Sequence, residues 1–308
     1  MTSSPIVCTT VTEFQDVLAE KLSNAAEPTL GFIPTMGALH AGHQELFKTA
    51  RANNAVVAIS VFVNPLQFDR AEDFENYPRN LDADVAIAAE VGVDVIFAPE
   101  LQEMYPDETP RISVRTGHMG EVLEGALRPG HFDGVGTVVN KLFNIVAAGA
   151  AEVRGVLPFT AYFGQKDAQQ LAILSAMVED FNLPVQIHPV PIVRDEGGLA
   201  LSSRNQRLNE DQLIQARALN EGLELLAAEA AAGRPLDVAA AIDHITASVV
   251  SAPGDDVVDE LVIVDADTFT PLTEEQRADP TSWPPRLLAL LAAFVGPVRL
   301  IDNKILKG

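Results

Sequence analysis

Two histidines, His40 and His43, stand three residues apart with Gly42 between them, in a stretch that begins at Pro34. Residues 29–33 before it are mostly apolar and predict a buried strand, while apolar residues at helical spacing in 44–51 predict a helix. A strand-to-helix turn of this kind presents backbone N–H groups and a helix N-terminus to an anionic ligand. Both imidazoles can donate hydrogen bonds to phosphoryl oxygens there, so the stretch predicts a phosphate site. Zinc is less favoured, because a helical zinc pair stands four residues apart and no third ligand is apparent.

Further donors for phosphate occur in two distant segments. Lys166 follows a predicted strand and precedes Asp167, a candidate helix N-cap, so its ammonium group is suited to phosphate. Ser202, Ser203 and Arg204 lie in a polar loop and combine two hydroxyls with a guanidinium, which suits a clamp on β- and γ-phosphates. Each segment alone is also typical of a solvated turn. Together with the histidines, the two segments indicate a triphosphate site.

Neutral amides accompany these cationic and imidazole groups. Asn64, Gln67 and Gln170 are suited to a substrate that carries hydroxyl and carboxylate groups rather than to phosphate. Arg128, in an Arg-Pro-Gly-His-Phe sequence, is suited either to hold a carboxylate or to form a structural turn, and both interpretations stay open.

Two carboxylates, Asp82 and Asp84, are the nearest candidates for Mg²⁺ ligands. They also stand at the beginning of a predicted helix, where acidic residues are common in a solvated first turn. The solvated helix start is the favoured interpretation, and a metal site stays the alternative.

Strands and helices alternate up to about residue 191, which predicts an α/β fold with a Rossmann-like parallel sheet. In such sheets ligands bind outside the carboxyl ends of the strands, so Asn64 and Gln67 should face the same crevice as the two histidines. The remainder predicts helices rich in Ala and Leu and three strands, a smaller α+β domain. We therefore place the domains at 1–191 and 192–308, with a short strand at 111–114 and a surface loop at 273–285.

Composition limits the classes of function. The chain has 21 Lys and Arg residues against 43 Asp and Glu residues, a formal net charge of −22. This balance argues against binding nucleic acid or an anionic membrane surface, but it allows a basic pocket for a small anion. The single cysteine, Cys8, excludes an intrachain disulfide, and no signal peptide or long apolar run is apparent. We expect a soluble, cytoplasmic protein.

The motifs, in this order, resemble the pantoate–β-alanine ligase (pantothenate synthetase) family of the His-x-Gly-His nucleotidyltransferase superfamily. The resemblance runs over about residues 29–208 and more loosely to the C-terminus. It rests on residues 34–43, 63–68, 77–79, 128–136, 164–167 with Gln170, Val193 and 201–205. A lone His-x-Gly-His would indicate only the superfamily, whereas several motifs in one order specify the family.

The resemblance implies a Rossmann-like catalytic domain, a C-terminal domain that acts as a lid, a homodimer, and ATP as a substrate with Mg²⁺ present. It implies that the carboxylate of pantoate attacks the α-phosphate of ATP, giving pantoyl adenylate and pyrophosphate. β-Alanine then attacks this intermediate, and pantothenate and AMP are released.

The resemblance also implies roles for individual residues. His43 would be the proton donor to the leaving group, Gln67 would bind pantoate and β-alanine, and Gln170 would bind pantoate. Together with Lys166 and the Ser-Ser-Arg loop, the two histidines form the predicted catalytic set. The predicted ATP-binding residues are Met36, Gly37, Ala38, Leu39, His40, Ala41, Gly42, His43, Gly164, Gln165, Lys166, Asp167, Val193, Leu201, Ser202, Ser203 and Arg204.

Two features depart from the family pattern. Leu201 stands where the family more often has methionine, a change between apolar side chains of similar volume. The segment at about 273–290 is longer and richer in proline than the family pattern. Two other hypotheses remain: another adenylating or cytidylyltransferase enzyme, including one that resembles a class I aminoacyl-tRNA synthetase, and a nucleotide-binding regulatory module with a degenerate site.

Overall fold

The computed structural model describes residues 4–252 and 256–308. By its contacts the chain divides into two compact units, one up to Val190 and one from Pro191 onward. Within the described residues, no helix is both long enough and apolar enough to cross a membrane.

A parallel sheet of six strands forms the centre of the first unit. Its strands are β1 (Ile6–Cys8), β2 (Leu30–Thr35), β3 (Val56–Val61), β4 (Val95–Phe97), β5 (Phe159–Gly164) and β6 (Val185–Val190). They lie in the order β1-β4-β3-β2-β5-β6, and each pair of neighbouring strands is parallel. The predicted Rossmann-like α/β fold is therefore confirmed.

Helices connect these strands. They are α1 (Val11–Ser23), α2 (Ala41–Asn53), α3 (Ala71–Glu75), α4 (Leu81–Glu90), α5 (Leu101–Met104), α6 (Glu124–Leu127), α7 (His131–Ala150) and α8 (Ala168–Asp180). Short 3-10 helices at Pro65–Gln67 and Gly117–Gly120 lie between them. One buried apolar cluster contains Phe14 and Phe143, and a second contains Phe47 and Ile59. Helices pack on both faces of a parallel sheet, so both faces of its central strands are buried. This burial explains why the sequence of β3 is continuously apolar.

Two details of the first unit differ from the sequence prediction. The predicted strand at 111–114 is wrong, because these residues form no strand in the structure. The backbone N–H of Val114 donates to the Thr137 hydroxyl of α7 at 2.9 Å instead of to a neighbouring strand, and Ile112 is 88% exposed. A strand that the prediction omitted, β1, carries Cys8, whose thiol is fully buried.

The second unit contains a three-stranded antiparallel sheet in the order β7-β8-β9. The strands are β7 (Val258–Asp265), β8 (Leu287–Val295) and β9 (Val298–Lys307). The helices are α9 (Glu210–Gln215), α10 (Arg217–Ala231), α11 (Val238–Ser248) and α12 (Glu274–Ala278), with 3-10 helices at Ser203–Arg207 and Pro280–Ser282. The smaller α+β unit is therefore confirmed.

The predicted surface loop at 273–285 is partly wrong, because it contains α12 and the 3-10 helix that follows it. Thr273 caps α12, and Trp283 lies buried with its indole N–H donating to the carbonyl of Gln276 at 3.0 Å. The polar composition of the segment concealed this buried anchor.

Candidate active site

The turn between β2 and α2 carries the two histidines. Its backbone is left-handed at Gly37, with φ of 81°, and at Ala38, with φ of 51°. The N–H of Gly37 donates to the Thr35 hydroxyl at 3.2 Å, and the N–H groups of Ala38 and Leu39 donate to the carboxylate of Asp84 at 3.2 and 2.8 Å. These backbone N–H groups are therefore already hydrogen-bonded to side chains of the protein. The turn therefore presents its side chains more than the backbone N–H groups that the sequence predicted.

The hydrogen bonds of the two imidazoles define which nitrogen faces a ligand. His40 is the N-cap of α2, and its Nδ1 accepts the N–H of Gly42 at 3.1 Å. The Nδ1 of His43 accepts the N–H of His40 at 3.3 Å, and the two rings lie 4.2 Å apart. A neutral imidazole that accepts at Nδ1 carries its proton at Nε2. Both rings therefore present an Nε2–H donor.

Both histidines are neutral at physiological pH. Burial, followed by the nearby charge of His40, lowers the pKa of His43 from 6.5 to about 3. Burial, followed by the positive charge of Lys166, lowers the pKa of His40. A neutral Nε2–H can donate a hydrogen bond to a developing anion, and the role of His43 as proton donor to the leaving group stays a prediction.

A cavity of about 200 Å³ opens beside His43. Gln67 and Gln170 line it, together with Gly164 and Asp167 at the carboxyl end of β5. Its apolar wall consists of Leu46, Phe62, Val135, Val138, Val139, Leu142 and Phe163. Residues from four segments of the sequence therefore meet at the carboxyl edge of the sheet, where a ligand of a parallel sheet binds.

Asn64 lies behind Gln67 instead of facing the cavity. It is fully buried, and its Nδ2 donates to the side-chain oxygen of Gln67 at 3.2 Å and to the carbonyl of Gly134 at 3.1 Å. Its Oδ1 accepts the N–H of Leu66 at 3.4 Å and the hydroxyl of Tyr105 at 3.3 Å. These hydrogen bonds hold the Gln67 amide in place, and the direct contact of Asn64 with substrate stays a prediction.

Arg128 and His131 hold the backbone of the same glutamine. His131 Nδ1 lies 2.8 Å from the carbonyl oxygen of Gln67, and Arg128 Nη2 donates to that oxygen at 3.3 Å. Arg128 Nη1 lies 3.1 Å from His131 Nε2. Burial and then the Arg128 charge lower the pKa of His131, so the ring is neutral, donates from Nδ1 and accepts at Nε2. The sequence analysis did not predict His131 as a site residue. Its position three residues after Arg128 could have indicated that the two side chains act together.

The two candidate metal ligands differ in environment. Asp84 is 3% exposed, and its two oxygens each accept a backbone N–H of the turn. Asp82 is exposed on the first turn of α4. Within residues 4–252 and 256–308, no group of three or more His, Cys, Asp or Glu side chains is arranged to hold a metal ion. The favoured interpretation, a solvated helix start, is therefore wrong for Asp84, which is buried, whereas Asp82 is exposed. The alternative, a metal site, stays a prediction for both residues.

The remaining predicted residues lie in the second unit. Ser202 is the N-cap of the 3-10 helix Ser203–Arg207, and its hydroxyl accepts the N–H of Arg204 at 3.3 Å. Arg204 is exposed, and its Nη1 donates to the carbonyl of Arg299 at 3.3 Å. Val193 and Leu201 pair through a backbone hydrogen bond of 2.8 Å. The prediction that this loop clamps the triphosphate stays a prediction.

The sequence matches the family model described as Pantoate-beta-alanine ligase over residues 6–305. It is 51% identical over 279 residues to the pantothenate synthetase of Corynebacterium glutamicum (strain R), covering 89% of this chain and 92% of that protein. A crystal structure of pantothenate synthetase from Thermus thermophilus matches with a TM-score of 0.79 and 38% identity, covering 98% of this chain and 99% of the other. A pantoate–β-alanine ligase from Francisella tularensis, complexed with "Beta-gamma ATP and Beta-alanine", matches with a TM-score of 0.70, 31% identity and 98% coverage of both chains.

Proposed function

Because the chain belongs to the pantoate–β-alanine ligase family, we propose that it condenses pantoate with β-alanine in an ATP-dependent reaction. The reaction passes through pantoyl adenylate and releases pyrophosphate and then AMP. Its product is pantothenate.

The observation that carries this function is the meeting of His43 with Gln67 and Gln170 in one small cavity. At about 200 Å³, the cavity is smaller than the roughly 300–1,000 Å³ of typical ligand pockets, so it suits a small hydroxy acid better than a whole nucleotide. Two neutral amides can bind hydroxyl and carboxylate oxygens of pantoate without repelling the anion. The apolar wall suits the dimethyl-substituted carbon of that acid.

In the first step, a carboxylate oxygen of pantoate forms a bond to the α-phosphorus of ATP, and the bond from that phosphorus to the bridging oxygen of pyrophosphate breaks. The Nε2–H groups of His40 and His43 donate hydrogen bonds to phosphoryl oxygens as negative charge builds on the leaving group. Donors that are already oriented before the reaction stabilise this charge without reorganisation. Because pantoate is already ionised at pH 7, the step needs no strong general base.

In the second step, the unprotonated amine of β-alanine attacks the acyl carbon of pantoyl adenylate, the acyl–oxygen bond to AMP breaks, and the amine nitrogen loses one proton to solvent. We assign Gln67 to both substrates, as the family resemblance implies, and Asn64, Arg128 and His131 fix its position. Catalysis then depends mainly on positioning and on stabilisation of the transferring phosphate.

We propose that ATP contacts the following residues. In the first unit they are residues 36–43 and 164–167, including Lys166, whose charge acts on His40. In the second unit they are Val193, Leu201 and the Ser-Ser-Arg segment 202–204, in a unit that we propose acts as a lid.

Mg²⁺ is expected to enter with ATP. Mg²⁺ commonly keeps several waters and takes substrate phosphates with only one or two protein carboxylates. Because each oxygen of Asp84 accepts a backbone N–H, at 3.2 and 2.8 Å, we assign this carboxylate to the turn and not to the metal. No step of the proposed mechanism therefore passes through a protein-bound metal ion.

We further propose a homodimer that works in the cytoplasm, where ATP is available. The dimer is proposed from the family resemblance, and Ile112, which is 88% exposed, is one side chain that a partner could cover. Light scattering of the purified protein measures the dimer, and Ile112→Glu should weaken it if this residue lies at the interface.

The deciding experiment measures AMP release with ATP, pantoate and β-alanine, omitting one substrate at a time. We expect AMP only when all three are present, and exchange of pyrophosphate into ATP with pantoate alone. Exchange that requires another acid would favour a different adenylating enzyme. No AMP and no exchange under any of these conditions would favour the regulatory nucleotide-binding module.

A further inference from the structure

We propose that Asp84 is a positioning residue for adenylate formation, because its buried carboxylate holds the turn that orients His40 and His43. This inference rests on the proposed function, since the reaction provides its readout. Asp84 would touch neither substrate. It would act through the backbone of residues 37–39.

The carboxylate of Asp84 lies directly behind the turn. It is on the first turn of α4, whose start is capped by Asn80 through a 3.1 Å hydrogen bond from the N–H of Ala83. One oxygen accepts the N–H of Leu39 at 2.8 Å and the other accepts the N–H of Ala38 at 3.2 Å. Hydrogen bonds from backbone N–H groups to an ionised carboxylate are among the stronger ones in proteins.

The turn needs such support because its backbone is unfavourable for the residues present. Ala38 has φ of 51°, a left-handed conformation that places its Cβ too close to a carbonyl oxygen. Gly37 has φ of 81°, and a Cβ added there would lie 2.7 Å from an oxygen of Asp84. The glycine therefore leaves room for the carboxylate, and the carboxylate stabilises the strained residue that follows.

The histidines begin immediately after this anchored segment. His40 caps α2, and His43 accepts the N–H of His40, so the direction of both rings depends on where the chain enters the helix. A shift of the turn would move both Nε2–H donors together. Misplacement of a catalytic group by about 1 Å can reduce a rate by about 100-fold.

Asp84→Asn is the test, because asparagine keeps the shape of the side chain but directs an amide donor toward one backbone N–H. We expect kcat for pantoate-dependent exchange of pyrophosphate into ATP to fall about 100-fold. The KM for pantoate should stay unchanged, since Gln67 and Gln170 do not lie on the turn. A normal kcat in the folded variant would overturn the proposal.

A double-mutant cycle with His43→Ala separates positioning from a general loss of structure. If Asp84 acts through the histidines, Asp84→Asn should cost clearly less than about 100-fold in the His43→Ala background. The same full loss in both backgrounds would overturn the proposal.

A second readout is the concentration of free Mg²⁺ that gives half-maximal exchange. It should be unchanged in Asp84→Asn, and an increase of tenfold or more would assign Asp84 to the metal instead.

Glu90→Gln is the matched control. Glu90 lies on the same helix and also pairs with α2, accepting a hydrogen bond from Gln44 at 3.2 Å, but this contact is exposed and outside the turn. Its kcat should stay within about twofold of wild type. If circular dichroism shows that Asp84→Asn does not fold, Gly37→Ala replaces it in the same cycle, since its Cβ displaces the carboxylate from the turn side.

The activity of the wild-type protein distinguishes a failure of the proposed function from a failure of the role proposed for Asp84. Wild-type protein that shows no pantoate-dependent exchange would refute the proposed function. A wild-type protein that is active beside a fully active Asp84→Asn would refute only the role of Asp84.

Discussion

His43→Gln and His43→Ala distinguish two ways in which this histidine can assist the departure of pyrophosphate. Its Nδ1 accepts the N–H of His40 at 3.3 Å, and its pKa is lowered to about 3, so the neutral ring presents an Nε2–H. The side-chain amide of glutamine reaches about as far as Nε2 and can donate a similar hydrogen bond, whereas alanine cannot donate one. We therefore expect glutamine to replace the histidine in part.

The size of the effect follows from the strength of one hydrogen bond to a charged group. Such a bond contributes about 1.5–3 kcal/mol, and about 1.36 kcal/mol corresponds to a factor of ten in rate. His43→Ala should therefore lower kcat for adenylate formation by about 10- to 150-fold. His43→Gln should lower it by less than about tenfold. An acid that transfers a proton would be lost equally in both variants.

Pantoate-dependent exchange of pyrophosphate into ATP measures this step without β-alanine. The exposed His118 supplies the control variant, His118→Gln, which should behave as wild type. The pH dependence of kcat/KM for pantoate, whose carboxylate does not titrate near neutral pH, reports groups of the enzyme form that binds it. It should show no titration of His43 near the ordinary histidine pKa of about 6.5. A His43→Gln variant as slow as His43→Ala, or a titration near that pH that the substitution removes, would refute the neutral-donor assignment.

Three further outcomes are expected. Asn64→Leu should lower the free energy of unfolding by about 4 kcal/mol, because four hydrogen bonds of this buried amide are lost at about 1 kcal/mol each. Urea unfolding measures this free energy, and a loss below about 1 kcal/mol would contradict the prediction. Asp302→Asn removes the charged partner of Arg194, whose two terminal nitrogens lie 2.6 and 2.9 Å from the carboxylate. The free energy of unfolding in urea should fall by about 3 kcal/mol. An unchanged midpoint of urea unfolding would contradict this prediction. His43 has a lowered pKa, so the unfolded chain takes up its proton at higher pH and stability falls as pH drops from 6.5 toward about 3. His43→Gln should flatten that fall in a series of Tm values against pH, and an identical slope would argue against the lowered pKa.

Local patterns predicted most of the secondary structure. The apolar run of β3 and the helical spacing after His43 are properties of neighbouring residues, so the sequence alone indicated the strand, the turn and the helix. Where a segment obtains its hydrogen bonds from a distant element, the same approach failed: residues 111–114 bond to a side chain of α7 instead of to a strand.

The order of motifs was also a property of the sequence. The His-x-Gly-His turn, the amide-bearing strand end and the Lys166 turn indicated the family without any coordinates, and the family match over residues 6–305 confirms it. The residue types further indicated the substrates, because imidazole and ammonium groups suit phosphate while neutral amides suit a hydroxy acid.

Tertiary structure alone decided which of these side chains face the cavity and which support it. Asn64 was predicted to bind substrate, and in the structure it is buried and hydrogen-bonds to the side chain of Gln67. Asp84 was predicted to lie in a solvated helix start, with a metal site as the alternative, but it is buried and accepts the N–H groups of residues 38 and 39. The neutral state of His43 likewise depends on burial, which arises from residues packed around it and not from its neighbours in the chain. Residue type and spacing therefore determined the chemistry that the turn can offer. Long-range packing determined the direction, the charge and the partner of each group, because desolvation and hydrogen bonding depend on distances that only the folded chain defines.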